Sequence, residues 1–207
     1  MKNALRNLGI LIGGVSLLTS CEPEELNPGT ETLDCNYFTE NRVLEDKPDV
    51  SIDYLITCDM NVDGDIVVKP GVTIAFATDA GIHVNETGSF KAEGTAQNPI
   101  KFTGQDGVKG SWRGVLINSN DPKNVFDHCI IEHAGGIAHN SNGNRGAFVV
   151  WSESSLSLTN STVRLSGLHG LNAVYRNSLI QLGGNTFTAN DGAPMLIDYA
   201  YVNVPSE

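Results

Sequence analysis

Three stretches, Ala147–Trp151 (AFVVW), Leu171–Tyr175 (LNAVY) and Met195–Tyr199 (MLIDY), recur at a spacing of 24 residues, and no other feature limits the fold as tightly. Alternate positions share a character: Ala147, Val149 and Trp151; Leu171, Ala173 and Tyr175; Met195, Ile197 and Tyr199. The segments between them match too. Leu156 and Leu158 correspond to Ile180 and Leu182, and Val163 to Phe187. One unit earlier the spacing is 32: Val115 lines up with Ala147, Ile117 with Val149, and Ile131 with Val163, the extra residues forming a loop around 135–144. Units that repeat at this period stack, because none buries a core alone. Each holds three short alternating runs split by Gly, Asn or Ser. Period two places one set of side chains inside and the other outside. That is one coil of a parallel β-helix, with coils about 4.8 Å apart. A β-sandwich would pair neighbours through hairpins, whereas the likeness here lies at coil distance.

Composition agrees. The 207 residues fit one domain, and they include 22 Gly with only 7% aromatic and 18% charged residues. A formal net charge of −11 and the absence of any Lys/Arg cluster argue against a nucleic-acid partner, which needs a positive patch.

Residues 1–20 read as a signal peptide. Lys2 and Arg6 precede an apolar stretch, Leu8 to Leu18, that is too short to span a membrane. Leu18-Thr19-Ser20-Cys21 resembles a bacterial lipobox, which implies lipidation of Cys21 and anchorage to the outer membrane. Residues 21–34 then form an acidic tether of the kind seen after surface-exported lipid anchors, so exposure on the cell surface is expected. In an oxidising compartment Cys35 and Cys58 are expected to pair, within a cap region spanning 35–63. The β-helix proper is placed at 64–207. Cys129 has no partner left and reads as a small buried apolar residue. At the other end, 201–207 leave the last coil half-open or covered by a partner, so a polysaccharide or envelope protein is a candidate contact at that edge.

GDIVVKPGVTIAF, GSFKAEGTAQNPIKFTG, GSWRGVLINS and NVFDHCIIEHAGG resemble right-handed parallel β-helix proteins of bacterial envelopes, in the pectate-lyase-like superfamily, over about residues 64–200. The resemblance implies an all-β, short right-handed parallel β-helix of about five to six coils. It implies fold more than function.

The candidate sites are few. Asp59, Asn61, Asp63 and Asp65 match the start of a calcium loop, with Gly64 for the turn, but the twelfth position is Pro70 where a bidentate Glu belongs. An acidic turn is the plainer reading, and calcium is the one cofactor considered. Polysaccharide hydrolases of this fold use paired carboxylates. Asp127 and Glu132 are five residues apart and read as facing opposite sides of a strand, so no catalytic residues are assigned. Arg113, Arg145 and His169 read as an outward solvated column. Trp151, Tyr175 and Tyr199 form an aromatic column. By parity it is an interior ladder; if the strands end there, it is an outward platform for stacking on sugar rings. The expected function is a surface-anchored, non-enzymatic binding or scaffold module contacting a glycan or an envelope protein. The alternatives are a small polysaccharide lyase or hydrolase, and an accessory lipoprotein of an outer-membrane uptake complex.

Overall fold

A computed structural model describes residues 28–173, 175–197 and 202–203. Residues 1–20, read as a signal peptide, together with Cys21 and Tyr199, lie outside these residues. The chain enters with β1 (Glu31–Leu33), a 3-10 turn (Tyr37–Thr39), β2 (Arg42–Leu44) and β3 (Tyr54–Ile56). A first complete coil follows in β4 (Asp59–Val62), β5 (Asp65–Val68) and β6 (Thr73–Phe76). The second is β7 (Gly81–Val84), β8 (Ser89–Glu93) and β9 (Ile100–Gly104). The third is β10 (Gly114–Ile117), β11 (Val125–Asp127) and β12 (Cys129–Glu132). The fourth is β13 (Phe148–Val150), β14 (Ser155–Thr159) and β15 (Thr162–Arg164). The fifth is β16 (Leu171–Ala173), β17 (Ser178–Gly183) and β18 (Thr186–Thr188), and β19 (Met195–Ile197) and β20 (Val202–Asn203) begin a sixth.

Equivalent strands of successive coils pair in parallel, giving three sheets. The first runs β4-β7-β10-β13-β16-β19, the second β2-β5-β8-β11-β14-β17-β20, and the third β1-β3-β6-β9-β12-β15-β18. The expected parallel β-helix is what the chain forms, with five complete coils among the described residues.

Period-two alternation gives each sheet an inward column. In the first sheet it is Met60, Ile82, Val115, Phe148, Leu171 and Met195. In the second it is Leu44, Val68, Ala92, Phe126, Leu158 and Leu182. In the third it is Tyr54, Ile74, Phe102, Ile131, Val163 and Phe187. An interior aromatic ladder does exist, but phenylalanines build it. Phe90 and Phe126 stack at 5.6 Å, Phe38 meets Phe90 edge-on at 6.0 Å, and Phe148 meets Phe126 at 4.9 Å. Phe76 and Trp112 stack at 3.9 Å, and the Trp112 indole N–H donates to the Glu132 carbonyl.

Corners are made by left-handed residues repeated from coil to coil. His128, Asn160 and Gly184 follow second-sheet strands, His133, Leu165 and Ala189 follow third-sheet strands, and Glu153 and Asn177 follow first-sheet strands, all at φ of 48 to 65°. At the corner between third and first sheets, Gly110, Gly136 and Gly167 lie over one another. A Cβ on Gly136 would sit 1.9 Å from the Gly110 carbonyl oxygen, so only glycine fits.

The sheets begin at Glu31, and the region expected as a cap, 35–63, holds β2, β3 and β4, the first two in an entry coil that precedes the first complete one. Within that coil the 3-10 turn lies against β4 and sends Phe38, fully buried, into the end of the core. The expected disulfide joins Cys35 to Cys58, before the 3-10 turn and before β4 respectively, so it ties the entry coil to the first complete one. One expectation is corrected, a register. Phe148, not Ala147, pairs with Leu171 and with Val115. In the second and third sheets the expected pairs Leu156–Ile180, Val163–Phe187 and Ile131–Val163 stand. The difference is one residue taken up at the loop before β13 and returned at the corner after it. Alternation could not reveal it, because Ala147 and Phe148 are both apolar; the larger ring fills the space beside Phe126.

Candidate functional site

The corner between the first and second sheets carries a concave site. Each coil crosses it with a short turn, 85–88 in the second coil and 151–154 in the fourth, but the third coil makes a longer excursion over 118–124. Buried Asn124 pins that excursion: its amide oxygen accepts from the Phe90 N–H at 3.0 Å and its NH₂ donates to the Ser119 carbonyl at 3.2 Å. Ser119, also buried, donates from its hydroxyl to the Gly88 carbonyl at 2.7 Å. The step this creates is a cleft of about 550 Å³ lined by Glu86, Asn118, Asn120, Trp151, Ser152, Glu153 and Ser154.

Trp151 stands just beyond the end of β13. Phe148 and Val150 face the core, so Trp151 falls on the other parity and its ring is half-buried at the cleft wall. For Trp151 the interior reading does not hold, and the one-residue register is the reason; Tyr199 lies outside the described residues. Tyr175, past the end of β16, stacks on Trp151 with ring centres 4.4 Å apart and planes at 28°. The Asn144 side-chain amide donates to the Tyr175 hydroxyl, and Asn140 lies 3.4 Å from it, so the loop at 135–146 buttresses the pair. Ser178 donates to the Trp151 carbonyl at 2.6 Å, fixing the backbone beneath the ring. Glu153, at φ 59°, is held by its N–H donating to the Arg176 carbonyl. The cleft therefore offers amide, hydroxyl and carboxylate groups beside one aromatic face. Glu86, Asn118 and Asn120 carried no signal in the sequence, because they become neighbours of Trp151 only through stacking.

The calcium candidates do not converge. Asp59 and Asn61 point outward from β4. Asp59 faces Arg113 at 3.5 Å, Asp63 accepts from Asn85 at 2.7 Å, and Asp65 accepts from Ser89 at 2.6 Å and pairs with Lys123 at 2.9 Å. Among the described residues no three His, Cys, Asp or Glu side chains gather for a metal.

Asp127 and Glu132 are not on one strand. The chain turns at His128, leaving Asp127 at the end of β11 and Glu132 at the end of β12, in different sheets. Both are occupied. Burial raises the Asp127 carboxyl, but hydrogen bonds from Thr159, His128 and Asn160 outweigh it and hold the group below its ordinary value. Glu132 is 3% exposed. Burial raises it as well, yet Lys101 at 3.0 Å, Arg164 Nε at 2.7 Å and the Thr103 hydroxyl at 2.9 Å together keep it ionised below the usual range.

The Arg113, Arg145 and His169 column is not a solvated ladder. Arg113 donates to the Ala138 carbonyl at 2.5 Å and Arg145 to the Gly136 carbonyl at 3.2 Å, so both hold the 135–146 loop against the first sheet. His169 Nδ1 accepts from the Ala193 N–H at 3.1 Å, and burial keeps its ring below its usual value. Within the same loop the His139 ring is pushed down to about 3, by burial first and then by Arg113 and His83. Cys129 is free and buried in the core, and burial raises its thiol far above the ordinary range. No family model, curated protein or solved structure matches the chain.

Proposed function

We propose that this protein is a lipid-anchored, non-enzymatic glycan-binding module of the outer membrane. The observation that carries the glycan reading is the Trp151–Tyr175 stack at the wall of a polar cleft. An aromatic face takes the apolar face of a sugar ring, and convergent amides, hydroxyls and carboxylates take its hydroxyls. The non-enzymatic reading is supported by Asp127 and Glu132, which lie in different sheets and are saturated by their own partners. Glycan-array screening followed by calorimetry tests the binding: Trp151→Ala should abolish it while the melting temperature stays within a few degrees. Anchorage rests on the lipobox at Cys21. Cys21→Ser should move the protein from the membrane to the soluble fraction and remove the mass of the attached acyl chains; a membrane-bound Ser variant refutes the anchor.

A second reading, a partner protein at the C-terminal end, is favoured by Leu179, Met195 and Leu196, which are exposed in the last coils. Co-purification from detergent-solubilised membranes that is lost on Leu196→Glu would support it.

A further inference from the structure

We infer that the cleft selects its glycan by charge, taking amine-bearing sugars in preference to neutral ones and rejecting uronates. The inference rests on the glycan reading and adds the ligand class to it.

Along the same corner and the sheet beside it, acidic side chains are matched to a partner. Asp59 has Arg113, Asp63 has the Asn85 amide, and Asp65 has Lys123, which also reaches Asp121 at 3.6 Å. Glu86 and Glu153 differ. Neither takes part in any ion pair among the described residues. Both line the cleft, Glu86 from the second coil and Glu153 from the fourth, and every other polar residue lining it is a neutral Asn or Ser. The Arg176 carbonyl accepts the Glu153 N–H; its side chain is exposed, is not part of the lining and forms no ion pair with either glutamate among the described residues.

Two uncompensated carboxylates in a concavity focus negative potential there, and a chain of net charge −11 does nothing to offset it. An ammonium group on a sugar satisfies that potential while the ring lies on Trp151, whose π face adds its own attraction for a cation. A uronate brings a third carboxylate to the same place, and like charges at a binding surface reject a ligand. The Glu153 backbone is fixed by its left-handed conformation and its N–H bond to the Arg176 carbonyl, so the side chain leaves the chain at a set point of the cleft lining.

Calorimetry on the lipid-free full-length chain tests this with four oligosaccharides of equal length: a glucosamine oligomer, its N-acetylated counterpart, a neutral glucan and an oligogalacturonate. The glucosamine oligomer should bind about 5- to 20-fold more tightly than the N-acetylated one, and the oligogalacturonate should not bind. Glu86→Gln and Glu153→Gln should each reduce the amine-over-N-acetyl preference about 3-fold, and the double variant should erase it while the melting temperature persists. Raising salt should shrink the preference. Equal affinity for amine and N-acetyl forms, tighter binding of the galacturonate, or a preference that survives the double Gln variant overturns the charge inference and leaves the glycan reading standing. Failure of all four to bind overturns the glycan reading itself.

Discussion

Phe126 and Trp151 show how one side-chain class takes two roles. Phe126 contacts Phe90, Phe102 and Phe148 and is fully buried, so Phe126→Ala should cost about 3–5 kcal/mol in urea unfolding. Trp151 loses only a stacking partner and a half-buried surface, and Trp151→Ala should cost about 1 kcal/mol. If the two variants unfold at the same urea concentration, Trp151 is core and the platform reading fails. Glu132 sets a different balance. Its carboxylate is buried, but Arg164 and Lys101 are 44% and 32% exposed and can return to water when it is removed. Glu132→Gln should therefore cost about 1–2 kcal/mol, well short of the loss for an isolated buried charge. Because its folded value lies below the ordinary one, its contribution is complete above the ordinary carboxylate range and is lost as pH falls through the folded value; the Gln variant should lack that acid-side loss.

At the scale of elements, the loop at 135–146 is the insertion with the most consequence. It covers the outer face of the first sheet, where Leu116 and Val149 are buried although they point away from the core. Its own His139 is held neutral by burial, near 3 against an ordinary 6.5. The unfolded chain takes up a proton that the folded chain refuses, so stability is full above the ordinary value and falls as pH drops below it. Between pH 7 and 5 the loss should approach 2 kcal/mol. His139→Gln should flatten most of that slope, leaving the smaller parts from His83 and His169, whose rings burial also holds low. A slope unchanged in the variant would show that the loop does not bury this ring. The glycine stack beneath is equally specific: Gly136→Ala forces a methyl onto the Gly110 carbonyl oxygen and should cost more than about 2 kcal/mol. The loop's existence was readable from the 32-residue spacing. Its landing on the sheet face was not, because Arg113 and Arg145 meet Ala138 and Gly136 only through carbonyl groups, which every residue has.

The whole molecule is a stack in which each coil touches its neighbours, so stability is graded along the axis. The Cys35–Cys58 disulfide staples the entry coil, and Cys35→Ser with Cys58→Ser should remove about 3 kcal/mol, seen first as faster amide exchange in β1 to β4. At the other end Leu182, Phe187 and Ile197 are only partly buried and Met195 is exposed, so β17 to β19 should exchange fastest in the intact protein. By itself the sequence determined the solenoid, its coil count, the inward columns of the second and third sheets and the disulfide. Each of these follows from a period or a pairing that the chain carries locally and repeats. Only the tertiary structure decided the register of the first sheet, the outward turn of Trp151 and the meeting of Glu86, Asn118 and Glu153. One residue absorbed at a corner flips a side chain from core to cleft, and groups more than 30 residues apart become neighbours only when the coils are laid on one another.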